Sequence, residues 1–138
     1  MHILVPLDNS EPAQEALEHA VSEYSDAEIT VLHVINPNVS MYGEGGVYAY
    51  DSVIDSRRKA IQSQFDKARE AAAAHDVSIS TETVVGNPSR EIVAYADEHD
   101  IDHIVIGSQG RDGARRVLLG SVAERVVRRA PVPVTIVR

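Results

Sequence analysis

The sequence predicts an α/β fold, a three-layer sandwich around a five-stranded parallel sheet of order 3-2-1-4-5. Three observations predict it. Short apolar runs alternate along the chain with longer stretches of helical period, the pattern that lays parallel strands between helices. The first run, Ile3–Leu7, is apolar almost throughout, as a strand covered on both faces must be. No internal repeat, linker or low-complexity tract beyond four alanines divides the 138 residues, a length that suits one domain spanning 1–138. Right-handed crossovers leave few topologies. The one that puts strand 1 in the middle is the flavodoxin-like, Rossmann-like order. Ligands in such sheets bind at the carboxyl ends of the strands where the order reverses, here between strands 1 and 4.

The elements follow in order. After Ile3–Leu7, the stretch Ser10–Tyr24 carries Ala13, Ala16, Leu17, Ala20 and Val21 at helical spacing. Ser10 suits its cap, and Pro12 is tolerated in a first turn. Ile29–Ile35 is a β-branched second strand. Asn36–Tyr50, with Pro37, three glycines and Tyr42, Tyr48 and Tyr50, reads as a long loop, either functional or mobile. A helix runs from about Asp51 to His75. Val77–Val85 alternates at its start, as a half-exposed edge strand does. Asn87 then caps a helix with Pro88 at its first position, buried through Ile92, Val93 and Ala96. Ile101–Ile106 is the fourth strand, Gly107–Leu119 a Gly- and Arg-rich stretch, and Gly120-Ser121 the start of a short helix ending near Arg129. Val134–Val137 closes the sheet after a proline turn.

Composition excludes several chemistries. With no Cys there is no disulfide framework, thiolate metal site or Cys nucleophile. No window is apolar for the 18 residues a membrane span needs, and the start lacks the basic and long apolar regions of a signal peptide, so a cytoplasmic protein is expected. A net charge of −8 argues against nucleic-acid binding. That charge is uneven. Residues 111–138 hold seven Arg against two acids, a net +5, which leaves −13 on the rest. A basic end on an acidic body can concentrate an anion, or can be a solvated helix face.

The residues that carry chemistry gather at the predicted strand ends. Gly107 and Gly110 allow sharp turns and close backbone approach to a ligand. Gly120-Ser121 opens a helix, where free N–H groups and the positive dipole end suit a phosphate. Arg111, Arg115 and Arg116 can add positive charge. Each part has a purely structural reading as well: the glycines as turn formers, and Ser121-x-x-Glu124 as a capping box. Asp8, closing strand 1, can accept from a base or ribose or help hold Mg²⁺ through water, or can simply cap the next helix. Val34 can wall the same crevice or belong to the core. Neither Lys59 nor Lys67 follows a glycine, so a Walker A loop is absent, as is a dinucleotide fingerprint after strand 1. The six histidines are scattered. His99 and His103 straddle a helix-to-strand junction and make a poor zinc pair. No catalytic residue and no protein metal ligand is expected.

At these residues the sequence resembles the universal stress protein family over essentially its whole length. The family's nucleotide signature, Gly-x2-Gly-x9-Gly-[Ser/Thr], is met by Gly107, Gly110, Gly120 and Ser121. Ile3 to Ser10, Leu32-His33-Val34, Gly86-Asn87-Pro88 and Pro131 to Val137 also fit. The resemblance implies a flavodoxin-like domain that binds ATP or another adenine nucleotide, with Mg²⁺ or Mn²⁺ held through the phosphates. Pro6, Asp8 and Val34 would line the adenosine pocket with Ile106 beside it, and the signature residues would hold ribose and phosphates. It implies a homodimer through Val134–Val137 and a stress-response regulator with little or no turnover, acting on a protein partner the sequence does not identify. A slow ATP hydrolase and a dimeric scaffold that binds no nucleotide are the alternatives.

Overall fold

The computed structural model describes residues 1–37, 46–108 and 119–138, with the backbone alone at 46–50. Its elements are β1 (His2–Pro6), α1 (Glu11–Glu23), β2 (Glu28–Ile35), α2 (Gly46–Ala73), β3 (Ile79–Val85), α3 (Pro88–Glu98), β4 (His103–Gly107), α4 (Ser121–Arg129) and β5 (Val134–Val137). The five strands form one sheet of order β3-β2-β1-β4-β5, and every pairing is parallel. This is the predicted flavodoxin-like order, with β1 central.

Alternation along the strands divides the core in two. Ile3, Val5, Val31 and Val105 face α1 and α2, where they meet Ala16, Leu17, Ile61 and Phe65. Leu4, Leu32, Ile104 and Ile106 face α3 and α4, where they meet Ile92, Ala96, Ala123 and Val126. All of these are nearly or wholly buried, and the transfer of such side chains from water is the main favourable term in folding. β3 alternates between half-buried and exposed over its first four residues, as its edge position requires. No described helix is long and apolar enough to cross a membrane.

The caps are where the sequence places them. The Ser10 hydroxyl oxygen accepts from the Ala13 amide at 3.2 Å, with Pro12 in the first turn of α1. The Asn87 side chain accepts from the Arg90 amide at 3.2 Å, with Pro88 opening α3. Such caps contribute about 1 kcal/mol each.

Several boundaries differ from expectation: Val77 and Ser78 precede β3, α2 ends at Ala73 rather than His75, and three further differences have a local cause. Leu7 falls just beyond β1, although its amide still donates to the Leu32 carbonyl at 2.8 Å. Ile101 lies before β4: Asp100 takes a left-handed conformation (φ 54°) to end α3, and the chain needs two more residues to reach the sheet. α2 begins at Gly46 rather than near Asp51, so Tyr48 and Tyr50 lie on a helix. Nothing from Val47 to Tyr50 breaks a helix, and extending a formed helix costs little per residue. Tyr42 lies outside the described residues.

Candidate functional site

The carboxyl edge of the sheet assembles around the turn from β1 into α1. Pro6 ends β1, buried, on the same face as Leu4. Leu7 follows, and then Asp8, whose Oδ1 accepts from the Ser10 amide at 3.1 Å and from the Ser10 hydroxyl at 2.5 Å. Asn9 between them is left-handed (φ 66°), a conformation asparagine tolerates. Asp8 therefore has the turn-forming role open to it in the sequence. One of its oxygens is committed to Ser10, and the carboxylate itself remains half-exposed.

β4 ends beside this turn. A Cβ built on Gly107 would stand 2.6 Å from the Pro12 carbonyl carbon and 2.9 Å from the Ala13 amide nitrogen. Gly107 thus has a packing reason to be glycine: it lets the first turn of α1 lie directly on β4. The next residue, Ser108, is buried and ties the edge together. Its amide donates to the Val137 carbonyl at 2.8 Å, and its carbonyl accepts from the Gly120 amide at 2.7 Å. That second bond brings the amino end of α4 to the carboxyl end of β4 although twelve residues separate them in sequence.

The start of α4 corrects one expectation. The N-cap is Gly120, with no side-chain cap bond, so Ser121 is the first helical residue and Ser121-x-x-Glu124 is not a capping box. The Glu124 amide instead donates to the Gly120 carbonyl at 3.0 Å, and its carboxylate pairs with Arg128 at 3.0 Å. Among the three helices whose N-caps are described, α1 and α3 use a side chain and α4 does not. Its first-turn amides and the exposed Ser121 hydroxyl form a donor set that fits an anion.

The apolar candidates share a face. Val34 and Ile106 both pack with the core beneath α3 and α4, and Val122 of α4 packs there too. Val34 is half-buried, and Ile106 is 5% exposed, so Val34 offers the larger apolar surface at the edge. Pro6, Asp8, Val34, Ile106, Gly107, Gly120 and Ser121 are thus gathered at one edge of one sheet. Gly110 and Arg111 lie outside the described residues, as do Arg115 and Arg116.

Sequence reasoning passed over two residues here. His33, near the end of β2, donates from Nδ1 to the Leu7 carbonyl at 2.8 Å. Arg57 of α2 donates from Nη1 to the Asn36 carbonyl at 2.7 Å and lies close enough to His33 to influence its charge. The signal for His33 was an imidazole set among the apolar Leu32, Val34 and Ile35 near the end of a strand. For Arg57 there was none. The other histidines sit elsewhere: His2 bonds Thr30 and His103 bonds Thr135, both at 2.7 Å, His75 pairs with Glu18, His19 meets the edge of Tyr24, and His99 stacks on Tyr95. Among the described residues no three His, Asp or Glu side chains are grouped to hold a metal ion.

Comparison with known proteins adds to this geometry. Residues 1–138 match the model of the Universal stress protein family. Universal stress protein MJ0531 of Methanocaldococcus jannaschii is 35% identical over 140 residues, spanning 99% of this chain and 81% of that protein. Universal stress protein UspA from Lactobacillus plantarum superposes with a TM-score of 0.89 at 29% identity, over 100% of this chain and 97% of that one. A universal stress protein solved in complex with cAMP superposes with a TM-score of 0.74 at 26% identity, over 100% of this chain and 97% of that one.

Proposed function

The chain belongs to the universal stress protein family, and from that premise we propose that it binds an adenine nucleotide, ATP foremost, where β1 and β4 diverge. One observation carries the reading. The Gly120–Ser108 bond sets a helix start with no side-chain cap beside the ends of two adjacent strands, at the point where strand order reverses. Pro6 and Val34 supply apolar walls for a base, with the buried Ile106 at their side. Asp8 keeps a carboxylate oxygen for a ribose hydroxyl or an exocyclic amine. Ser121 and the first amides of α4 take phosphate oxygens, and Gly110 and Arg111 join them on sequence spacing alone. The related protein in complex with cAMP supports an adenine ligand. Mg²⁺ or Mn²⁺ would neutralise phosphate charge and would be held through the phosphates. The output of such a site is occupancy read by a partner protein in a stress response, with little or no turnover.

Calorimetric titration with ATP and Mg²⁺ tests it, using Ser121→Asp as the variant. A carboxylate in the first turn favours the dipole of α4 by about 0.3–1 kcal/mol, so the melting temperature should hold or rise. The same carboxylate repels a phosphate, so ATP affinity should fall about tenfold or more while affinity for adenosine stays unchanged. No saturable ATP binding by the wild type, or equal ATP affinity in the variant, overturns the reading.

The second copy in the proposed homodimer would pair along β5. The Pro133 carbonyl accepts from Ile104 of β4 and the Val137 carbonyl from Ser108 just beyond it, so by alternation the N–H and C=O groups of Val134 and Ile136 point away from the sheet. All four β5 side chains are half-buried, as an edge open to a further strand would be. Analytical ultracentrifugation should return a dimer mass at micromolar concentration. A monomer mass would sink the pairing.

A further inference from the structure

We infer that His33 is a positioning residue: by donating to the Leu7 carbonyl it holds the β1–α1 turn, and with it Asp8, in the geometry the nucleotide site needs. The inference rests on the nucleotide reading for its functional half, while the tether itself is a feature of the fold. β1 stops pairing with β2 at this point. The Leu7 amide still bonds the Leu32 carbonyl, but the Leu7 carbonyl is taken by the imidazole at 2.8 Å. Beyond it the chain turns through a left-handed Asn9, and Asp8 closes onto Ser10. His33 stands on β2 in firm register, paired with Thr83 of β3, so the tether runs from a fixed strand to a turn that is otherwise held by its own short side chains.

A carbonyl only accepts, so Nδ1 carries a proton in either charge state, and acidification adds its proton at Nε2. Burial holds the imidazole below its ordinary 6.5 and the Arg57 charge presses the same way, against the Leu7 bond and the Asp8 carboxylate. Among the described residues, Asp8 from the turn and Arg57 from α2 are the charged groups that act on it. A base whose native pKa lies below its unfolded value stabilises the native arrangement fully above about 6.5. That contribution is lost as the pH falls from there toward the lower native value. That loss concerns the fold as a whole: the Leu7 carbonyl and the Asp8 carboxylate both favour the protonated ring, so the tether to the turn holds in either charge state.

His33→Asn and His33→Leu separate the roles. The Asn amide N–H stands near the place of Nδ1–H and does not titrate, whereas Leu fills space and donates nothing. At pH 7.5, ATP affinity should fall about fivefold in His33→Leu and stay within about twofold of wild type in His33→Asn. Equal affinity in His33→Leu, or no rescue by Asn, overturns the inference. Should His33→Leu fail to fold, His33→Ala, which also donates nothing, takes its place in both comparisons. Amide hydrogen exchange at Ser10 in nucleotide-free protein reads the tether without any ligand. Exchange about tenfold faster in His33→Leu and restored in His33→Asn supports it, and unchanged exchange overturns it. Should the wild type not bind ATP, the nucleotide reading falls, and the Ser10 exchange rates alone decide the tether.

Discussion

Gly107→Val is expected to lower the unfolding free energy by about 3 kcal/mol, the upper part of the range for overpacking a close contact. The added Cβ would lie 2.6 Å from the carbonyl carbon of Pro12, 2.7 Å from its oxygen and 2.9 Å from the Ala13 nitrogen. These are backbone atoms in the first turn of α1. They cannot swing aside as a side-chain tip would, because Pro12 fixes its own φ and Ser10 caps the turn through the Ala13 amide. The first turn must therefore lift away from β4 or β4 must shift in the sheet. For a chain of this length the melting temperature should drop by roughly 10 °C. Gly107→Ala carries the same Cβ and should lose most of that amount, which distinguishes a clash at Cβ from a simple excess of volume. Thermal and urea unfolding measure both. A Gly107→Ala protein melting within about 2 °C of wild type would show that the contact relaxes cheaply, and the packing account of Gly107 would fail. The contact also bears on the site, because lifting α1 moves Asp8 relative to β4. ATP affinity should fall in the same variants even at temperatures where they remain folded.

The sequence is legible where structure is local or periodic. The strand order follows from alternation of elements and from the apolar run Ile3–Leu7. The caps at Ser10 and Asn87 follow from residue type beside a proline. The start of α4 was harder for a definable reason. Ser121 with Glu124 three residues on looks the same whether the serine caps the helix or begins it, and only the extended backbone of Gly120 (ψ 161°) settles the matter. Gly107 was visible as a glycine at a strand end, but the cause of its lack of a side chain lies at Pro12, about 95 residues earlier in the chain and across the face of the sheet. His33 was visible as a polar residue within Glu28–Ile35, while its partner, the Leu7 carbonyl, is a backbone atom 26 residues away that no side-chain pattern announces. What the sequence conveys is which residues can serve a site. Which of them are already used by the fold, as Asp8 is by Ser10, takes the contacts themselves.

Phe65→Ala should be the most damaging substitution away from the candidate site, with a loss of about 3–5 kcal/mol. Phe65 is 2% exposed, heads the largest fully buried side chains, and sits in the core between α2 and the sheet with Ile61, Ala68 and Ala72 on its own helix. Its removal leaves a void that small neighbours such as Ala16, Ala20 and Ala72 cannot fill. Against a typical stability of about 5–15 kcal/mol this is a large share, and Phe65→Leu, which keeps part of the volume, should lose less. The functional consequence is more informative than the loss itself. Phe65 belongs to the core on the α1–α2 side, whereas Val34 and Ile106 pack on the α3–α4 side. The sheet separates the two, so ATP affinity measured well below the lowered melting temperature should stay within about twofold of wild type, and ATP should still raise that melting temperature by mass action. Stability and affinity falling together in Phe65→Ala would mean that the sheet transmits packing from one face to the other, and the placement of the adenosine pocket on the α3–α4 side would have to be abandoned.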